Sequence, residues 1–222
     1  MQTSLSQDAL GDYVAKQMQT FFPDGPLDHK TVQSAVGAAL EKIEHCFSHI
    51  EFSAYHDRGV SVFDHAHTDH YATFLCFLAR IFFLEKADLR LATKAYALNK
   101  ALHGLDAFYE VDLPDIIYLQ HPVGTVLGRA TYGNYLAVYQ GVTVGSSVDG
   151  NCPKLGEGVV LYGGARVIGS AEISSNSWVA PGTIVMDQKF PCASILFGTP
   201  PCTERRQTDR DVIGHFFSRA GE

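Results

Sequence analysis

The sequence is short of charge. Asp, Glu, Lys and Arg make up only 18% of its 222 residues, against about 25% in an average soluble domain, while 46% are hydrophobic. Part of the surface is therefore expected to be covered by other subunits. There is no basic run: the seventeen Lys and Arg residues are scattered and the formal charge is −7, which argues against nucleic acid and anionic membrane as partners. There is no apolar run of spanning length. The longest, "YATFLCFLARIFFL", is interrupted by Arg80 and falls short of the roughly 20 residues that cross a bilayer, so it reads as a buried helix. The opening "MQTSLSQDALGDY" has neither the basic nor the apolar region of a secretory signal. The five cysteines (Cys46, Cys76, Cys152, Cys192 and Cys202) form no CxxC pair. Together these absences predict a cytoplasmic protein with reduced thiols.

What is present divides the chain in two. In "TVQSAVGAALEKIEHCFSHI", Val32, Val36, Ala39, Leu40, Ile43, Phe47 and Ile50 recur at helical spacing, the mark of an amphipathic helix. A second helix is predicted over Tyr71 to Leu84. A third fits "DLRLATKAYALNKALHG", with Asp88 as N-cap and Gly104 just past its end. Before about residue 105 the chain reads as mainly helical.

After residue 120 the period changes. Every sixth position from Leu155 is a branched aliphatic: Leu155, Leu161, Val167, Ile173, Val179 and Val185. Three positions after each of the first five stand Gly158, Gly164, Ser170, Asn176 and Gly182, all small or turn-forming. The same step runs backwards through Val142 and Leu136, with "SSVDGNCPK" breaking the register as a loop thrown out of the coil. A hexapeptide repeat of this kind predicts a β-helix, each unit giving one short strand and one corner. Three strands make a triangular coil whose narrow interior takes the aliphatics, and whose corners need residues tolerant of left-handed dihedrals.

Several segments resemble one family. "HPVGTVLGRA" from His121, "QGVTVGSS", "LGEGVVLYGGARVIGSAEI" and "FGTPP" are similar to hexapeptide segments of the serine acetyltransferases, and "DHYATFL" at Asp69 to Leu75 is similar to a motif of their helical domain. The resemblance implies an α+β chain: an all-helical N-terminal domain over 1–110, a left-handed parallel β-helix over 111–203 and a C-terminal tail over 204–222. It implies an acyltransferase of cysteine biosynthesis that uses acetyl-CoA as co-substrate and needs no metal, assembled as a homotrimer or hexamer with sites between adjacent coils. His121 takes the place of the general base. A hydroxyl attacking a thioester must lose its proton, and an imidazole titrating near neutrality can accept it. A backbone amide near Ser146 would hold the oxyanion, and the coil around Ser146, Ser147, Gly163 and Pro181 would line the CoA arm. The family's orienting aspartate matches Asp112, across a connection to His121 several residues shorter than the family's; Asp115 and Asp106 are the other carboxylates in range.

The acceptor end departs from the family. Gln120 stands where the family has an aspartate, and Asn151 with Cys152 where it has an Arg-His pair, so both ends of a zwitterionic serine lose a charged partner. Gln120, Asn151, Cys152 and Asp64 are the candidate acceptor contacts. A neutral polyhydroxylated acceptor such as a sugar is expected to be used better than free serine, unless Asp64, Arg129 or Lys154 compensates. The run "DHAHTDH" gathers His65, His67 and His70 with two aspartates, but its spacing matches no strong metal site. Residues 122 to 187 hold no histidine, which argues against a zinc enzyme built on such coils. A catalytically silent oligomerisation scaffold is the alternative from another class.

Overall fold

The structure, a computed structural model, describes residues 1–84 and 88–219. Four helices form the first half: α1 (Gln7–Phe21), α2 (His29–Ser48), α3 (Thr68–Leu84) and α4 (Leu89–His103). Three start at a side-chain cap that satisfies an otherwise orphaned amide: Ser6 accepts from Ala9, Asp28 from Lys30 and Asp88 from Leu91. Gly104, with φ 65°, closes α4 in the left-handed conformation that its missing Cβ permits. α3 is buried on nearly every side, as its apolar sequence demands. The first helix is an addition to the sequence reading. Leu10, Val14 and Met18 form a narrow buried stripe along it, hidden among polar neighbours. A small sheet of β1 (Gln2–Thr3), β2 (His56–Asp57) and β3 (Val60–Phe63) lies beside the helices.

The second half winds as a β-helix of three parallel sheets. The first coil is β4 (Ile117–Gln120), β5 (Val126–Leu127) and β6 (Thr131–Tyr132). The second is β7 (Leu136–Tyr139), β8 (Thr143–Gly145) and β9 (Lys154–Leu155). The third is β10 (Val159–Leu161), β11 (Arg166–Ile168) and β12 (Glu172–Ile173). The fourth is β13 (Ser177–Val179), β14 (Ile184–Met186) and β15 (Lys189–Phe190), and β16 (Ser194–Phe197) opens a fifth.

The register stacks like residues into columns. Leu119, Val138, Leu161, Val179 and Leu196 lie on one another in the first sheet. Leu127, Val144, Val167 and Val185 do so in the second, and Tyr132, Leu155, Ile173 and Phe190 in the third. All six aliphatics of the repeat fall in these columns, and each is at most 3% exposed. The backward extension is corrected. Leu136 and Val142 are buried, but Val138 and Val144 hold the columns. The segment between β8 and β9 inserts more residues than one register break accounts for, so Val138 stacks under Leu161 across twenty-three positions, while Leu161 and Val179 are eighteen apart. Of the expected corner residues, Gly158, Gly164, Asn176 and Gly182 have positive φ; at the remaining corner Gly169 takes that role next to Ser170.

Both ends of the coil are tied down. Past α4 the chain runs under the first coil, where Leu127 donates to the Asp106 carbonyl (2.8 Å), Asp106 to that of Thr125 (2.9 Å) and Gly124 to that of Gly104 (3.1 Å). An exposed strand edge is thereby paired. At the far end β17 (Glu204–Gln207) adds antiparallel to β16, and α5 (Val212–Phe216) returns across the first sheet. Phe216 packs on Tyr118, Trp178 and Phe52, and Ser218 donates to the His49 carbonyl (2.8 Å). The described part of the expected tail thus packs against both halves; residues 220–222 lie outside the described residues.

Candidate active site

His121 sits at the first corner of the first coil. β4 ends at Gln120, His121 turns with φ 48°, and Val123 donates back to its carbonyl at 2.7 Å. A left-handed conformation costs a residue with a Cβ roughly 1–2 kcal/mol, so something must hold it. The holder is Asp69, in the first turn of α3. Its Oδ2 accepts the His121 backbone N–H at 3.1 Å and lies 3.7 Å from the ring's Nδ1, while Thr68 donates to its Oδ1 at 3.4 Å. The carboxylate is buried, its side chain 7% exposed, and the imidazole stands out at 72%. One ring nitrogen faces a carboxylate and Nε2 is left for chemistry.

The carboxylates chosen from the sequence are engaged elsewhere. Asp112 pairs with Arg80 at 3.1 Å, its side chain 86% exposed, beside the Tyr109 and Glu110 carbonyls that also accept from Arg80. Asp115 pairs with Lys42 at 3.0 Å. Asp106 accepts from Tyr96 (2.8 Å) and Lys100 (2.6 Å). The structure thus sets Asp69 beside His121, where the sequence pointed to Asp112. The chain between Asp106 and β4 is too short to build a further coil under His121, so it crosses the helices, and α3 fills the place.

The other expected groups fall on separate parts of the coil. Gln120 is half-buried at the end of β4, opposite Tyr139. Asn151 and Cys152 lie on the loop that leaves the corner between β8 and β9, with Val148 fully exposed at its tip. Ser147 closes that loop by donating to the Asn151 carbonyl (2.9 Å), and its hydroxyl is buried without a partner; Ser146 beside it is exposed. Gly163 and Pro181 stack on the corner column that begins at His121, where Gly182 donates to the Gly163 carbonyl at 3.0 Å. A single chain therefore brings Gly163 and Pro181 onto the edge of His121, but leaves Ser146, Ser147, Asn151 and Cys152 on another.

Asp64 is a turn residue. It accepts the Ala66 N–H at 2.9 Å, which holds its carboxyl below the usual range, and lies 3.7 Å from His65. The neighbouring histidines serve packing. His65 bonds Ser4 (2.8 Å), His70 accepts the Asp64 N–H (3.2 Å), and the His67 and His70 rings stack at 4.0 Å. Burial among Phe47, Tyr55 and Phe63 pushes His70 down to about 3. Among the described residues no group of three or more His, Cys, Asp or Glu side chains is placed to hold a metal ion.

Beside His121 opens a cavity of about 130 Å³ lined by Thr68, Asp69, Leu102, His103, His121, Pro122 and Val123. His103, the last residue of α4, is 8% exposed. Its Nδ1 meets Asn99 Oδ1 at 2.8 Å, and burial lowers its pKa against the opposing pull of Asp69. Asp69 and His103 are the members that the sequence reading missed. The one available signal was an acid opening an otherwise apolar helix, inside the very segment that carried the helical-domain resemblance.

No family model matches the chain. It is 31% identical to the serine acetyltransferase of Synechococcus elongatus over 107 residues, 46% of this chain and 43% of the relative. It is 32% identical to that of Staphylococcus aureus over 88 residues, 38% of this chain and 41% of the relative. Over these segments the chain is similar to serine acetyltransferases. Each alignment spans less than half of the relative it matches. The fold agrees over far more of its length. The Neisseria gonorrhoeae serine acetyltransferase superposes with a TM-score of 0.70 at 18% identity, over 92% of this chain and 80% of that one. The Brucella abortus enzyme in complex with coenzyme A superposes at 0.69 and 15% identity, over 94% and 84%. The helical half and the left-handed β-helix are thus a shared architecture. Among the described residues no helix is long and apolar enough to cross a membrane.

Proposed function

We propose that the protein is an acetyl-CoA-dependent O-acetyltransferase that transfers acetyl directly to a small hydroxyl acceptor. The observation that carries it is His121, an exposed imidazole with a buried carboxylate on one nitrogen, at the foot of a hexapeptide coil related to those of serine acetyltransferases. Nε2 takes the proton of the acceptor hydroxyl as its oxygen attacks the thioester carbonyl. The new C–O bond gives a tetrahedral oxyanion, held by a backbone amide near Ser146. The C–S bond then breaks, and the sulfur of CoA leaves as a thiol with the proton returned from the imidazolium. Asp69 holds the ring in place and opposes the positive charge that it gains. The CoA arm runs between two coils, past Gly163 and Pro181 of one and Ser146 and Ser147 of its neighbour.

The reading extends to assembly. Asn151 and Cys152 stand on a different corner from His121, so a site that uses both is completed by a second chain, as in a homotrimer or its hexameric pair. The domain division that goes with this is a helical part over 1–110 that pairs trimers and a β-helix over 111–203 that forms them. Thiol release from acetyl-CoA, measured across a panel of hydroxyl acceptors, tests the activity. His121→Ala is expected to cut turnover at least about 10²-fold while CoA affinity stays near that of the unmodified protein. Near-normal turnover in the folded variant would remove His121 as the base, and CoA binding without transfer to any acceptor would favour a silent scaffold.

A further inference from the structure

The cavity beside His121 contains a second imidazole whose hydrogen-bonding state is set by its surroundings. Asn99 donates its Nδ2 to the Ala72 carbonyl at 2.9 Å and toward Cys76 Sγ at 3.2 Å. Its amide is thereby fixed, with Oδ1 turned to His103 Nδ1 at 2.8 Å. A carbonyl oxygen only accepts, so Nδ1 of His103 carries a proton. Burial keeps the ring below its ordinary pKa of 6.5, so at neutral pH it carries no second one. Nε2 is then a lone pair, in a ring that lines the cavity shared with His121 and Asp69. The other walls do not answer it. Leu102, Pro122 and Val123 have no side-chain donor, and the Thr68 hydroxyl donates to Asp69. A lone pair in a nearly buried site gains most from a donor supplied by the bound molecule, and leaving it unmatched carries a desolvation penalty.

We propose that His103 is a specificity-determining residue: its Nε2, held as an acceptor by Asn99, reads an O–H or N–H donor on the carbon next to the one that bears the reacting hydroxyl. This rests on the acetyltransferase reading of the same site. The two imidazoles divide the work, His121 taking the proton of the reacting hydroxyl and His103 fixing its neighbour. A vicinal diol and a vicinal amino alcohol both present that donor, and Asp69 at the same wall favours the one that carries positive charge. The group was invisible at the Gln120 position because the fold supplies it from α4.

Three acceptors of matched length test the proposal: L-serine, L-glycerate and 3-hydroxypropionate, which carry respectively an ammonium, a hydroxyl and no donor beside the reacting carbinol. For the unmodified protein, kcat/KM is expected to be roughly tenfold or more higher for the better of the first two than for the third, and the order of the first two tells amine from diol. His103→Phe is expected to collapse that ratio to within about threefold, and His103→Gln, which keeps an acceptor oxygen, to restore part of it. Equal use of all three acceptors by the unmodified protein would overturn the proposal and leave the acetyltransferase reading standing; transfer to none of the three but to another acceptor of the wider hydroxyl panel would overturn the proposal alone, and transfer to no acceptor at all would sink both. If His103→Phe does not fold, long-range proton–nitrogen NMR of the unmodified protein decides the tautomer. A proton on Nδ1 from pH 6 to 8 supports the assignment, and one on Nε2 overturns it.

Discussion

Replacing Asp69 separates two jobs that the structure gives to one carboxylate. Its Oδ2 accepts the His121 N–H and faces the ring across 3.7 Å. When the ring takes a proton, a unit charge pair at that distance is worth about 4.5 kcal/mol at an effective dielectric of about 20, and about 1 kcal/mol in bulk water. Asp69 is buried but the imidazole is 72% exposed, so solvent screening brings the value toward the lower end, about 1.4 to 2.3 kcal/mol. Asp69→Asn keeps an oxygen for the His121 amide and removes the charge. It is expected to lower kcat/KM roughly 10- to 50-fold. Asp69→Ala also removes the bond, of the kind worth about 1.5–3 kcal/mol when one partner is charged, and frees a turn held in the left-handed region. Its loss is expected to exceed about 10²-fold. Thiol release under single-turnover conditions reads both variants, with circular dichroism as the check on folding. The reasoning is refuted if Asp69→Asn matches the unmodified protein, or if Asp112→Ala costs more activity than Asp69→Ala. Asp112 pairs with Arg80 at the surface and is expected to cost less than about twofold.

Two further outcomes follow from burial and assembly. His70 is held at about 3 by burial, below its ordinary 6.5, so the unfolded chain binds more protons than the native one between those values. The neutral ring's contribution to stability is complete above pH 6.5 and declines as pH falls toward 3, by up to roughly 1.4 kcal/mol per pH unit; urea unfolding at pH 7 and 5 should show the decline, and in a folded His70→Gln variant it should shrink. Sedimentation at micromolar protein is expected to give a multiple of three chains, and a fully active monomer would contradict the shared site.

How much of this was legible in the sequence depends on how far each contact reaches. The β-helix was readable because its interior repeats. Leu155, Leu161, Val167, Ile173, Val179 and Val185 each fill the same kind of position, so a six-step aliphatic register is the fold's own geometry written along the chain. Helix α4 was readable with its ends, since Asp88 and Gly104 act on neighbours within four residues. The register before the protruding loop was not, because a loop's sequence does not say where the strand re-enters the coil, and Val138 and Val144 hold the columns instead of Leu136 and Val142. His121 could be singled out as the candidate base from its own motif. Its partner could not. Asp69 is 52 positions away, on a helix whose first turn meets the coil corner only because the chain after α4 runs under the first coil and docks it on α3. His103 reaches the same cavity by the same docking. The sequence by itself determined the coil, its corners and the imidazole proposed as the base; the packing of the helices beneath the coil decided which carboxylate meets that imidazole and which second imidazole lines its cavity, because such contacts depend on docking between distant segments and leave no period in the chain.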